Sequence, residues 1–336
     1  MTTVAILGAG AWGTALAVHF AQRSAAALRV RLWTRDPVHA ATLGAIHANA
    51  RYLPGVNVPE AVLITADLHE LSDAELLFVA TPVAALPELT AAMRNATLAA
   101  PLVTLCKGFV RSVELPAGVG LAHQLLAKRW EGPVAVASGP TFAEEVARGM
   151  PTALSVASAD GALAARVASL LRGGALRAYE SDDVAGVEVG GAIKNVLAIA
   201  AGASDGLGFG HNARAALITR GLAETGRLSA ALGGRRETLM GLSGLGDLVL
   251  TCTGDLSRNR RVGLALAQGL PLADALAEIG HVAEGVASAR AARTLGQHFG
   301  ADMPICEAVD RVLHEELPVR HAVEALLKRE PRPELV

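Results

Sequence analysis

The sequence predicts an α/β protein, with a mostly parallel sheet domain at the N-terminus and an all-α domain behind it. Three observations carry this reading. A short apolar run at the start passes straight into a glycine-rich turn and a helical stretch. Strand-like and helical runs then alternate as far as Tyr179, the pattern of a parallel sheet. Beyond Tyr179 strand signals nearly stop and helical periodicity takes over. A chain of 336 residues has room for about two domains, each with its own core. The break is placed between residues 1–183 and 184–336.

Composition narrows the function classes. Hydrophobic residues make up 51%, charged residues 18% and aromatics 3%, with 35 glycines, so alanine and valine do the packing. The formal charge of −2 offers no global basic field for nucleic acid or an anionic membrane. Any anion must be held by a local cluster. Cys106, Cys252 and Cys306 are far apart and odd in number, which suits a reducing cytoplasm rather than a disulfide framework. No basic and apolar leader precedes the first strand, and no uninterrupted apolar run is long enough to span a bilayer. The ten histidines are scattered without a His-Glu-x-x-His pattern, so no metal is expected.

Taken in order, Val4-Ala5-Ile6-Leu7 is the first strand and residues 14–23 read as a helix. Between them stands Gly8-Ala9-Gly10-Ala11-Trp12-Gly13. In that setting G-x-G-x-x-G marks a Rossmann-like dinucleotide site. Gly8 permits the tight turn, Gly10 lets the backbone approach a pyrophosphate, and Gly13 lets helix pack close on strand. The helix N-terminus then faces the phosphates. The second strand, Val30-Arg31-Leu32-Trp33, runs into Thr34-Arg35-Asp36-Pro37. Arg35 suits a ribose 2′-phosphate, while Asp36 before proline suits the N-cap of the next helix. NADPH is favoured on that basis and NADH remains possible.

Further strands are expected at residues 62–64, 76–80 and 102–106, and Thr81-Pro82 and Lys107-Gly108 stand at carboxyl ends where such sheets bind ligands. Lys107 directly follows a buried strand. The next strand, Val134-Ala135-Val136-Ala137, ends in Ser138-Gly139-Pro140-Thr141. Thr141 and Glu144 have capping-box spacing, and the same loop presents backbone donors and a hydroxyl at the sheet edge. Residues 153–157 and 176–179 are strand-like and flank a helix over 163–171.

The second domain opens with residues 184–203, apolar almost all round and therefore a buried helix. Inside it sits Lys194. The residues that share its face are Val187, Gly190, Gly191, Leu197, Ala198 and Ala201, none of them polar. An enclosed amine either snorkels out or does chemistry, and the order of domains puts this helix at the interdomain cleft. Further helices are expected at 213–232, 261–268, 272–279 and 285–299, with a pair near the end. Asp247, set among glycines and apolar residues, needs a cationic partner. Ser257-Arg258-Asn259-Arg260-Arg261 is either a solvated face or a phosphate grip. Glu284 is either an acid at a helix N-terminus or a contact to a cofactor carboxamide.

As a set, these blocks resemble the bacterial NAD(P)-dependent glycerol-3-phosphate dehydrogenases. The matching stretches are Gly8 to Leu16, Tyr52-Leu53-Pro54-Gly55, Cys106-Lys107-Gly108, Ser138 to Ala143, Gly191 to Val196, Gly244 to Leu248 and Ser257 to Arg260. The resemblance implies a Rossmann-like domain followed by a helical one, a homodimer, and interconversion of dihydroxyacetone phosphate and sn-glycerol 3-phosphate for glycerophospholipid synthesis. It implies Lys194 as general acid/base. Lys107, Gly139, Thr141, Lys194, Asp247, Ser257, Arg258 and Asn259 become substrate contacts, with Thr251 a weaker candidate. Beside the turn glycines Gly8, Gly10 and Gly13, already read from the motif, Ala11, Trp12, Arg35, Lys107, Ala143, Arg258, Val282 and Glu284 become cofactor contacts, with Tyr52 a weaker one. Where this chain has Ala11 the family often has serine, so one side-chain bond to the phosphates is lost and the backbone N–H remains. A two-domain β-hydroxyacid dehydrogenase and a non-catalytic NADP(H) sensor are the alternative readings.

Overall fold

A computed structural model describes residues 2–23, 28–280 and 282–330. The first part alternates as expected: β1 (Thr2–Leu7), α1 (Ala11–Arg23), β2 (Leu28–Trp33), α2 (Pro37–Ile46), β3 (Val62–Thr65), β4 (Leu76–Val79), α3 (Leu86–Asn95) and β5 (Leu102–Thr104). A two-stranded hairpin that the sequence did not announce follows, β6 (Val110–Arg111) with β7 (Val119–Gly120). Then come α4 (Ala122–Arg129), β8 (Val134–Ser138), α5 (Ala143–Ala147), β9 (Thr152–Ser158), α6 (Gly161–Leu171) and β10 (Leu176–Ser181).

Eight strands form one sheet in the order β10-β9-β8-β5-β4-β1-β2-β3. All neighbours are parallel except β8 and β9. The order reverses at β1, and ligands bind at the carboxyl ends of strands beside such a switch point. Alternation along β1 fills both faces. Val4 and Ile6 join a core with α1 and α6, while Ala5 and Leu7 join one with α3 and α4.

The antiparallel step has a consequence for the site. The five-residue α5 is the one helix between β8 and β9, and the chain turns straight back into an antiparallel pair. Ser158 therefore lies beside Ala135 at the start of β8, and β10 ends on that same side. From there α7 (Val184–Gly206) runs back along the sheet. Val187 packs on Val136 and Ala157, and Gly191 comes up against Ser138 at the carboxyl end of β8. This brings the middle of α7 to the edge where ligands bind.

Around α7 pack α8 (Gly210–Ala231), α9 (Asp247–Thr253), α10 (Arg258–Ala267), α12 (Glu284–Phe299) and α13 (Pro304–His314), with α11 (Leu272–Ile279) against α10 and α14 (Val319–Leu327) against α13 and α10. The sequence left α9 unassigned and started α10 three residues late. By length and composition α7 is apolar enough to cross a membrane, but 89% of its apolar window is buried inside the protein. That makes it a core helix. Its approach to α10 is close: a Cβ on Gly202 would lie 1.9 Å from the Arg260 carbonyl oxygen, and one on Gly263 2.0 Å from that of Ile199.

Candidate active site

Each glycine of the first turn does a different thing. Gly8 has φ +120°, a region L side chains rarely enter, and a Cβ there would meet the Ala80 backbone at 2.9 Å. A Cβ on Gly13 would lie 1.9 Å from the Gly8 oxygen. Around Gly10, by contrast, nothing lies within 4 Å of that position. The space over Gly10 is therefore open, beside the start of α1. The Thr14 N–H makes the first helical bond, to Gly10 O at 3.0 Å, so the amides of Ala11 and Trp12 ahead of it have no acceptor within the helix. Open backbone and free amides fit a dinucleotide pyrophosphate. Asn49, which no sequence pattern singled out, is buried and donates to Ala9 O at 2.9 Å and Thr14 Oγ1 at 2.7 Å, locking the turn. Tyr52 stands nearby, edge-on to His39 at 5.4 Å. Asp36 caps α2 by accepting the Val38 and His39 amides, which leaves Arg35 as the exposed charge past β2.

Where the carboxyl ends of the strands meet α7 lies a buried charge cluster. Lys194 Nζ donates to Asp247 Oδ1 at 2.6 Å and to Thr251 Oγ1 at 3.0 Å. Lys107, from the end of β5, donates to the other oxygen of the same carboxylate, Asp247 Oδ2, at 2.8 Å. It also donates to Gly139 O at 2.9 Å and Thr141 Oγ1 at 3.4 Å. Asp247 is 1% exposed and Lys194 8%, so two ammoniums share one carboxylate almost out of water. The cluster keeps a net positive charge, suited to an anionic substrate or a developing oxyanion. Burial lowers the pKa of Lys194, Asp247 pulls it back up and Lys107 pushes it down, leaving it at about 8. An amine so tuned is a competent proton donor near neutral pH.

Thr141 corrects the sequence reading. Its hydroxyl donates to Gly139 O at 3.0 Å and accepts from Lys107, and α5 starts only at Ala143, with Phe142 as N-cap and no side-chain cap. There is no capping box, because the hydroxyl is occupied in the cleft. Ala143 is the first residue of α5 and packs against the sheet core.

The arginine-rich run is the start of α10. Ser257 caps it, accepting the Arg260 amide at 3.2 Å. Asn259 donates to Asn195 Oδ1 at 2.9 Å and accepts the Gly285 amide at 3.0 Å, tying α10 to α7 and α12 next to Lys194. Arg260 pairs with Asp205 and Asp255, whereas Arg258 is exposed, within electrostatic reach of Glu284. Glu284 is the acid at the N-terminus of α12, and its carboxylate accepts the Val83 amide past β4. Burial raises its pKa to about 6 against the opposing charges of Arg258, Lys194 and Lys107. Val282 is exposed two residues before it. Asn195 lies in the Gly191-to-Val196 stretch but received no role of its own from the sequence, although its place beside Lys194 in an apolar helix was the available signal. Around the cluster the buried hydroxyls of Ser138 and Ser243 have no hydrogen-bond partner among the described residues, so a polar ligand finds groups to bond.

A protein that moves hydride between a nicotinamide and a carbinol carbon must hold a dinucleotide at a sheet edge and a proton-transferring group across from it. The glycine turn and the Lys194 cluster supply both, which defines the class as a two-domain NAD(P)-dependent oxidoreductase. Comparison with known proteins narrows this further. Residues 3–164 match the N-terminal model of NAD-dependent glycerol-3-phosphate dehydrogenase, and residues 183–324 the C-terminal model. The glycerol-3-phosphate dehydrogenase [NAD(P)+] of Aromatoleum aromaticum is 55% identical, covering 98% of this chain and 99% of that protein. That of Nitrosomonas europaea is 52% identical, with 98% of each covered. The crystal structure of glycerol-3-phosphate dehydrogenase from Coxiella burnetii is 42% identical with a TM-score of 0.91, covering 98% of this chain and 99% of that one. This chain belongs to the NAD(P)-dependent glycerol-3-phosphate dehydrogenase family. A ketopantoate reductase from Ralstonia eutropha, 19% identical with a TM-score of 0.60, shares the fold alone.

Proposed function

We propose that the protein interconverts dihydroxyacetone phosphate and sn-glycerol 3-phosphate, supplying the backbone of glycerophospholipids as a cytoplasmic homodimer. The observation that carries this reading is the carboxylate of Asp247 shared by Lys194 and Lys107 in the cleft. When bound, the reduced nicotinamide supplies a hydride to the C2 carbonyl carbon. Lys194 gives its Nζ proton to the carbonyl oxygen as that carbon is reduced, so a C–H and an O–H bond form while the C=O π bond breaks. Asp247 and Thr251 fix the direction of that amine, and burial, aided by the charge of Lys107, keeps it acidic enough to act. The guanidinium of Arg258 grips the substrate phosphate, with the remaining amide hydrogen of Asn259 beside it. Holding the phosphate sets the reacting carbon at a fixed distance from Lys194.

NADPH is the preferred cofactor in this reading. Arg35 supports it, being exposed past β2 while the Asp36 side chain is occupied in capping α2. Residues 1–183 hold the dinucleotide and residues 184–336 carry the catalytic helices.

The test is oxidation of NADPH and NADH, followed at the absorbance of the reduced cofactor, with and without dihydroxyacetone phosphate. Substrate-dependent oxidation is expected, and Lys194→Ala should lower kcat by ~100-fold or more with little change in cofactor affinity. Tight cofactor binding without turnover would favour a sensor instead, and preference for 3-hydroxyacids would favour the β-hydroxyacid class. Lys194→Ala turning over at near wild-type rate would remove it as proton donor.

A further inference from the structure

Glu188 is a buried carboxylate for which the proposed reaction has no use. It lies on α7, about 9 Å along the helix axis before Lys194, and its side chain is 3% exposed. A carboxylate so enclosed persists only where donors are supplied. Both come from His123, near the start of α4: its backbone N–H reaches Glu188 Oε1 at 3.1 Å, and its Nδ1 lies 2.5 Å from Oε2. Among the described residues no other cation lies within ion-pairing distance of Glu188. Burial opposes a charged imidazole here, and the hydrogen bond and charge of Glu188 outweigh it, raising the pKa of His123.

The location is where the helical core meets the core between the sheet and α3–α4. Val119 and Leu121 pack into the helical core with Val189 and Ile193. One residue later Ala122, followed by Leu125 and Leu126, packs into the core under the sheet. Residues 107–123 are thus one excursion from the end of β5 to the start of α4, tied to α7 at both ends. One tie runs from Lys107 through Asp247 to Lys194. The other is His123 to Glu188.

We propose that the Glu188–His123 pair is a strut between the two domains that sets the position of Lys194 against Lys107 and Asp247. The two are positioning residues for the proton transfer, and the inference rests on the function proposed above. Without the pair, apolar packing alone holds this part of α7 against the segment, and such packing fixes the helix's rotation less sharply than a directional hydrogen bond does. Reacting groups misplaced by about 1 Å can cost ~100-fold in rate, whereas the Arg258 side chain and the dinucleotide turn stand on other elements.

The experiment compares wild type, Glu188→Gln, His123→Leu and the double variant as full-length protein. Each single variant should lower kcat by about 10-fold or more, with KM for dihydroxyacetone phosphate and NADPH within about 2-fold of wild type. The double variant should be no worse than the poorer single one, because both remove one contact. A readout independent of turnover is the pH dependence of Lys194 acylation, followed by peptide mass spectrometry. The groups facing Lys194, namely Asp247, Lys107, Glu284 and Cys252, are unchanged in these variants, so a midpoint moved by roughly half a pH unit or more reports altered geometry. Wild-type kcat in both singles, losses confined to KM, additive effects or an unmoved midpoint would each overturn the strut. So would loss of the folded state in both singles, since the pair would then be a folding element. An inactive wild type would instead refute the function, and normal variants beside an active wild type refute only the strut.

Discussion

Lys194 shows how a single residue acquires a role from its surroundings. Its pKa of about 8 fixes the sign of a pH dependence. As pH rises through about 8 the ammonium loses its proton, so reduction of the ketone should fall and oxidation of the alcohol, which needs the neutral amine, should rise. Measuring kcat/KM in both directions across that range checks this, and parallel limbs would refute it. Lys107→Met removes a charge that lowers this pKa and leaves Asp247 to Lys194 alone, so the reductive limb should move to higher pH. At the cofactor end, Arg35→Asp should weaken NADPH selectively, and equal losses for NADPH and NADH would discard the 2′-phosphate contact. Lys194 was legible as an oddity, one charge on an apolar helical face. Its partner was legible only as a need, since nothing in the spacing from residue 194 to 247 brings Asp247 to it.

At the scale of elements, glycines that look alike in sequence do opposite work. Gly10 has open space where a Cβ would stand, so Gly10→Ala should leave thermal unfolding unchanged while weakening cofactor binding. Gly202 has the Arg260 carbonyl 1.9 Å from that point. Gly202→Ala must push α7 from α10 and should destabilise by ~1–3 kcal/mol or more, read by urea unfolding. The first was predictable because strand, glycine turn and helix are consecutive and local. The second was not, because α7 and α10 meet only in the packed domain. The same distinction explains Thr141, whose local spacing said cap while its hydroxyl donates to Gly139 O and accepts from Lys107 in the loop after β5.

For the molecule as a whole, Glu224 couples the helical domain to pH. It is buried on α8 and accepts the amides of Ile305 and Cys306 at the start of α13. Burial raises its pKa from 4.5 to about 7, with Asp302 adding and those amides and Arg227 opposing. The folded state therefore keeps a proton that the unfolded chain has lost between pH 4.5 and about 7. Stability from this group falls as pH rises across that window and is level above it. Glu224→Gln removes the titration, so wild type should gain on the variant as pH is lowered from 8 toward about 5. An unchanged difference in urea unfolding at the two pH values would exclude the coupling.

The sequence by itself determined the alternation that builds the sheet, the dinucleotide turn, the switch to helices after Tyr179 and the family. Each is written in consecutive residues or in a short period. The tertiary structure decided which charges meet. The turn-back from β8 to β9 starts α7 at the far side of the sheet and so delivers Lys194 to the ligand edge, where Asp247 and Lys107 converge from separate elements. It likewise paired Glu188 with His123 and settled Asn259 between three helices. Such contacts join residues tens of positions apart, and only packing two cores against each other fixes their distances.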